Sequence, residues 1–514
     1  MAIAVQQGAG VAPAPVHPVS PSGQAARLGF ERVDLLLKTA ENLLAEARLV
    51  DADTLYRDIL ARDPDDLRAI LGLASARERI GDSDESIRLL DRLEKLAPDN
   101  PAVLCNLIFS HDRRVESTLE DSYRLRRRFN DLIKKPIRQH TNNRAPERKL
   151  RVGYVSGDFR HHSAVTVFGA MVLKHDRSQI ETYCYSSAAQ GDAITDRLRA
   201  GVDAWRDISI WSDDRLEQAI RDDQIDILVD LSGHSNGNRL GVFARKPAPV
   251  QVTGWGYITG TGLDAIDYIF ADEDTIRPDE EQWYAEEVVR LPRIVSYWPA
   301  DGEQVGPVLQ SPHLTNGFLT YGVMNRLGKL RPEVIALWAR ILQAVPDARL
   351  IVKAAGLDDE ASRLWLQNVF HDHGADLSRL QFRGVTSHAA HLKTFNEIDV
   401  NLDPWPDGGG VTTLDATWMG VPSVTFPYRQ IASRLTASFN NELGLPFLNA
   451  TSPDEYVERA VALNSQRREL AMVRERLRDV LKASIICDHE SYARHVEDRY
   501  RWMWRRYCER MNAQ

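Results

Sequence analysis

At 514 residues the chain is longer than one domain, and its 43% hydrophobic and 27% charged content is ordinary for a globular protein. A net charge of −9 argues against a broad nucleic-acid-binding surface. No apolar run reaches the roughly 18 residues that a membrane span requires. Four widely spaced cysteines (Cys105, Cys184, Cys487 and Cys508) predict a reducing, cytoplasmic compartment and no zinc site.

Residues 1–24, rich in Ala, Pro, Gly and Ser, read as a disordered lead rather than a signal peptide. Residues 25–145 are helical in pattern. Asp63-Pro64-Asp65 recurs as Ala97-Pro98-Asp99 at a spacing of 34 residues, with Ala74, Gly81, Leu90 and Leu93 between them and Ala52 and Tyr56 before. That period and register predict tetratricopeptide-like helix pairs. The basic run 124–140, RLRRRFNDLIKKPIRQH, reads as a solvated helix face.

At Leu150 the pattern becomes alternating strand and helix, which predicts a doubly wound α/β domain over 146–305. Its strands are LRVGYVSGDF, IETYCYSS, the continuously apolar IDILVDLSGH, PVQVTGWGY and AIDYIFAD. Its helices are expected in RHHSAVTVFGAMVLKH, from Arg197 to Ile208 and from Asp214 to Asp223. A second α/β domain is expected over 306–453, and helices over 454–514 that pack back on the first. Two such domains place a ligand in the cleft between them, at the carboxyl ends of the strands.

The stretch DVNLDPWPDGGGVTTLDATWMGVP, 399–422, is the centre of the prediction. A strand ends at Leu402, Gly408, Gly409 and Gly410 follow, and Thr412 and Thr413 open a helix. Free N–H groups and the positive end of the helix dipole make such a start an anion site. The hydroxyls of Thr412 and Thr413 could meet phosphates, and Asp415 ribose hydroxyls. The ordinary alternative is a tight turn with Thr as the helix cap. Other strand ends add Asp158 with His161 and His162, Asp230 with His234, Asn325 and Arg326 with Lys329, and His388 with His391. All are expected to face one cleft.

The motifs VGYVSGDFRHHS, DLSGHSNGNR, FARKPAPVQVTGWGYITGTG, VMNRLGKLRPEVIALWARIL, LDPWPDGGGVTTLDATWMGVP and IASRLTASF occur in that order from residue 152 onward. In them the chain resembles the SPINDLY and O-GlcNAc transferase family, GT-B glycosyltransferases preceded by tetratricopeptide repeats. The resemblance implies inverting transfer of a sugar from a nucleotide sugar to Ser or Thr of a protein, with no metal or other cofactor. It implies His162 near the reacting centre, Lys329 on the leaving diphosphate and His391 near the base. It also implies Thr412, Thr413 and Asp415 on phosphate and ribose, with Asn325, Arg326 and the glycines lining the nucleotide sugar. Asp158, His161, Asp230 and His234 are expected on the acceptor and sugar side.

Gly410 stands where O-GlcNAc transferases carry a histidine, and Arg326 where they carry glutamine. The expected donor is UDP-GlcNAc, with GDP-fucose, as in SPINDLY-type members, the alternative. A silent scaffold that keeps the nucleotide pocket is the alternative of another class. The helical region is expected to recruit the protein acceptor as a separate element, so that removing 1–145 would spare donor hydrolysis. No nucleic acid or membrane partner is expected, and the oligomeric state is left open.

Overall fold

The structure, a computed structural model, describes residues 21–46, 48–300 and 305–513. Six helices lead: α1 (Pro21–Ala45), α2 (Leu49–Arg62), α3 (Leu67–Ile80), α4 (Ser83–Leu96), α5 (Pro101–His111) and α6 (Leu119–Ile133). Pro64 and Pro98 fall in the turns before α3 and α5, where no helical N–H is required. Asp66 and Asn100 cap those helices, accepting from the N–H groups of Ala69 and Ala102 at 2.9 Å each. Ala52, Tyr56, Ala74, Leu90 and Leu93 are all buried between helices. The hydroxyl end of the Tyr56 ring is seated on Gly72, where a Cβ would lie 2.2 Å from it. Gly81 closes α3 at φ +106°, a conformation that favours glycine. Residues 1–20 of the expected lead lie outside the described residues. Residues 21–24 already belong to α1, because a proline at the first position suits a helix start.

The basic run is a solvated face only in part: Arg124, Lys134, Lys135 and Arg138 are exposed, but Arg126 is not. Arg126 is buried and pairs with Asp112, and it also donates to the Thr259 hydroxyl at 2.6 Å and to Gly260 O at 3.0 Å in the first α/β domain. Arg127 reaches Asp264 and Gly262 O, while Arg128 meets Glu94 and Pro98 O. A guanidinium whose donors are shared between Asp112 and Ser122 O on its own side and Thr259 and Gly260 O on the neighbouring domain can be buried where a lone charge cannot. On its other flank the helical region touches the second α/β domain. A Cβ on Gly81 would strike the Trp365 ring, and one on Gly328 would lie 3.0 Å from Glu78 O. The helices expected to act as a separate element therefore pack against both α/β domains.

The first sheet has seven parallel strands in the order β3-β2-β1-β4-β5-β6-β7. They are β1 (Leu150–Ser156), β2 (Ile180–Ser186), β3 (Ala204–Asp207), β4 (Ile227–Asp230), β5 (Val250–Thr253), β6 (Tyr268–Ala271) and β7 (Glu287–Arg290). β3 lies inside the stretch read as helix from Arg197 to Ile208. The helix there is Ala193–Gly201, and the half-buried Ala204–Asp207 pairs as an edge strand. The expected helix after His162 is reduced to a single turn, Val165–Val167, and the short helix Gly169–Leu173. β-branched Val165, Thr166 and Val167 disfavour a longer one, and Gly169 is pressed onto Trp298.

The second sheet runs β10-β9-β8-β11-β12, again all parallel: β8 (Thr320–Val323), β9 (Arg349–Lys353), β10 (Leu380–Arg383), β11 (Val400–Leu402) and β12 (Ser423–Val424). The helices Pro453–Ala462, Arg467–Ala483 and His489–Asn512 end the fold. The last returns to the first sheet. Tyr492 accepts from the Trp255 indole at 2.9 Å and donates to Arg293 O at 3.0 Å, and Tyr500 meets the Tyr154 hydroxyl at 3.1 Å. Among the described residues no helix is long and apolar enough to cross a membrane.

Candidate active site

β11 leads into the glycine turn, and the helix Val411–Trp418 starts from Gly410. Glycine has no side chain to cap the first N–H groups, so the threonine cap of the ordinary reading is not formed. Asp403 braces the turn from beneath, accepting from Gly409 N–H at 2.6 Å and from the Thr425 hydroxyl at 2.7 Å. Burial pushes Asp403 up to about 6. A Cβ on Gly409 would lie 2.4 Å from Thr413 Oγ1 and 2.7 Å from Asp403 Oδ1, so only glycine fits there. The two threonines differ. Thr413 is buried, its hydroxyl paired with that of Thr436 at 2.9 Å. Thr412 is half-buried, and its hydroxyl has no partner among the described residues.

Lys329 follows β8 in the single turn Leu327–Lys329, and its side chain is only 12% exposed. Its Nζ donates to Gly408 O and lies 3.0 Å from Asp407 Oδ1. Burial lowers the Lys329 pKa and Asp407 opposes that; Lys329 and the arginines beside it hold Asp407 well below the usual carboxylate range against its own burial. Arg326 approaches Asp407 at 3.8 Å with half its side chain open to the cleft. Asn325 is buried with Nδ2 unpartnered, an amide donor free for a ligand.

The facing wall carries Asp158, His161 and His162 after β1. His162 Nδ1 lies 3.3 Å from Asp158 Oδ1, and Ala164 N–H approaches the same nitrogen at 3.2 Å. Burial lowers the His162 pKa, Asp158 opposes that, and the charges of Arg160 and Arg326 add to it. The imidazole is therefore neutral at pH 7, as a proton acceptor must be. His161 reaches across the cleft to His388, ring to ring at 5.6 Å. His388 stands 4.0 Å from Asp415 Oδ2, whose contact raises its pKa. Tyr297 donates to the other Asp415 oxygen at 2.6 Å. His391 packs edge-on to Phe395, and burial pushes it down to about 4.

Two expected site residues are not in this group. Asp230 is buried at the end of β4, where it accepts from Ser232 N–H, Gly233 N–H and the Thr253 hydroxyl. His234 is buried on the helical region, its Nε2 2.9 Å from Thr261 O, its Nδ1 facing Cys105 and its ring edge-on to Phe129. Both follow a strand, as the prediction required, but the chain turns them into the protein rather than toward the cleft. Conversely, Tyr297, Asp403, Asp407 and Arg113 went unpredicted. Asp407 adjoins the glycines and was within reach of the motif; Arg113 lies 294 residues before the carboxylate it binds, which no local pattern reveals.

Two parallel sheets facing across a cleft, with an uncapped helix start and a buried lysine on one wall, define a GT-B glycosyltransferase fold. The model of glycosyl transferase family 41 matches residues 108–315 and 307–496, and a tetratricopeptide repeat model matches 43–104. The chain belongs to glycosyl transferase family 41. It is 36% identical over 424 residues to the probable UDP-N-acetylglucosamine–peptide N-acetylglucosaminyltransferase SPINDLY of Solanum lycopersicum, covering 81% of this chain and 45% of that one. It is 37% identical over 374 residues to the Arabidopsis thaliana protein of the same name, covering 72% and 41%. The chain thus spans under half the length of these plant relatives. A solved structure of a Thermobaculum terrenum O-GlcNAc transferase mutant superposes with a TM-score of 0.82 at 32% identity, over 93% of this chain and 98% of that one.

Proposed function

We propose that the chain transfers GlcNAc from UDP-GlcNAc to a Ser or Thr hydroxyl of a protein, with inversion and without a divalent metal. The observation that carries this reading is Lys329, buried against the uncapped glycine turn. The acceptor oxygen attacks the anomeric carbon, its proton passes to His162, and the bond to the diphosphate breaks. Negative charge grows on the leaving oxygen, where Lys329, the helix start and the Thr412 hydroxyl stabilise it. Asp158, 3.3 Å from His162 Nδ1, would stabilise the imidazolium that forms. Asp415, braced by Tyr297, is left one oxygen for the ribose. The tetratricopeptide helices supply the surface that takes the polypeptide. The compartment proposed is the cytoplasm, supported by four cysteines that are all free thiols.

GDP-fucose is the competing donor, and Gly410 and Arg326 at two positions of the turn and wall favour it. Melting temperature and donor hydrolysis measured with UDP-GlcNAc and GDP-fucose, each with and without EDTA, decide the matter. Stabilisation and hydrolysis by UDP-GlcNAc, undiminished in EDTA, are expected. A response to GDP-fucose alone overturns the donor, loss in EDTA overturns the metal-free mechanism, and no response to either donor leaves a scaffold.

A further inference from the structure

Arg113 belongs to the helical region, in the turn after α5, yet its side chain ends in the donor half of the molecule. Its Nε donates to Asp407 Oδ2 at 2.8 Å, and a second nitrogen meets Glu78 near the end of α3. The guanidinium lies 4.6 Å over the Phe109 ring, and Arg331 donates to the Arg113 carbonyl at 3.1 Å. Three features of the arginine, its charge, its ring stacking and its backbone, are thus fixed at once.

Asp407 has its own difficulty. A carboxylate in a cleft that receives a diphosphate repels the ligand, and one 3.0 Å from Lys329 competes for the ammonium. Arg113 relieves both by donating to Oδ2, which Arg326 also approaches, and Oδ1 is left to Lys329. An ammonium has three donors. Gly408 O takes one and Asp407 Oδ1 the second, which leaves the third without a partner among the described residues.

We propose that Arg113 is a positioning residue of the donor site, which sets Asp407 so that Lys329 presents one N–H to the leaving diphosphate. The inference rests on the reading of Lys329 given above. It makes donor chemistry depend on the helical region, because Glu78 and Arg113 both come from it.

The test is a cycle of Arg113→Gln, Lys329→Ala and the double variant, read by single-turnover rate and by the Kd for UDP. Arg113→Gln is expected to slow the chemical step by about 10- to 100-fold, the range carried by groups that orient a metal's ligands, with UDP affinity changed less than about threefold. In the double variant it is expected to add nothing to the loss caused by Lys329→Ala, since both act through one ammonium. Arg113→Lys keeps the charge but cannot span both carboxylates, and should recover only part of the rate; if Arg113→Gln fails to fold, the same cycle is run with Arg113→Lys. Additive losses, or an Arg113 variant at the parent rate, overturn the inference. A normal rate for Lys329→Ala alone overturns instead the reading on which it rests.

Discussion

Arg126 meets Asp112 through two parallel hydrogen bonds, 3.0 and 2.6 Å long, with both side chains out of water. Burial would raise the Asp112 carboxyl, but Arg126, with the Tyr257 and Thr259 hydroxyls, holds it below the usual range. Removing one partner strands the other, so Arg126→Ala should cost about 3–5 kcal/mol of stability. Replacing both with apolar residues of similar volume should restore much of it. Denaturant unfolding of the single and double variants checks this. A chain lacking 1–145 loses the same clamp and uncovers the apolar residues that share a core with Phe129, such as Leu263 and Ile266, so it should lose donor hydrolysis together with acceptor modification. Intact hydrolysis by that truncated chain would show the helices to be dispensable.

Lys329→Ala should lower kcat by about 10²–10³-fold, or roughly 3–4 kcal/mol, and weaken donor binding much less. The added charge appears only as the bond to the sugar breaks. Lys329→Arg should not restore the rate, since a broader guanidinium cannot donate to Gly408 O and face the ligand in the same way. Asp415→Ala should do the opposite, losing nucleotide affinity with a smaller effect at saturation. Single-turnover rates and nucleotide Kd values separate the two.

His162→Ala should cut turnover about 10²–10⁴-fold with nucleotide affinity intact. The imidazole accepts a proton only when neutral, and burial lowers its pKa, so kcat/KM should fall with acid only below the ordinary value of about 6.5. Asp158 opposes that lowering, hence Asp158→Asn should move the acid limb further down. A pH–rate profile with its limb above about 7 would contradict the assignment.

His234 is held at about 3 by burial. Below pH ~6.5 the unfolded chain takes up a proton that the native chain refuses, so this group withdraws stability as pH falls from there toward 3. His234→Gln, which keeps a donor for Thr261 O, should remove up to about 1.4 kcal/mol per pH unit from that slope. Comparing parent and variant isolates it from Asp230 and Asp403, which are raised to about 6 and act in the other direction. Parallel slopes between pH 6 and 4 would place His234 in contact with water.

Strands that read as continuous apolar runs, such as β4 and β9, were legible because both faces of a parallel sheet are covered. β3 and β7 were not, since edge strands of mixed, half-exposed residues carry little pattern. The glycine turn announced itself through composition. Which threonine keeps an unpaired hydroxyl did not, because Thr436, which occupies Thr413, arrives from a later helix. His234 and Asp230 show the converse, since a polar residue after a strand marks a strand end but not the direction in which its side chain is turned.

One apolar core passes from Leu150 through both sheets to Cys508, a second joins α3–α6 to the first sheet through Val155, Tyr185 and Leu228, and α1, α2 and part of α3 pack around a smaller cluster that includes Leu37, Ala40 and Tyr56. Cooperative opening follows such boundaries. Amide exchange should therefore reach α1 and α2 first, through excursions that leave the rest closed. Both sheets contribute to the largest core, so their amides should exchange together, at the free energy of global unfolding.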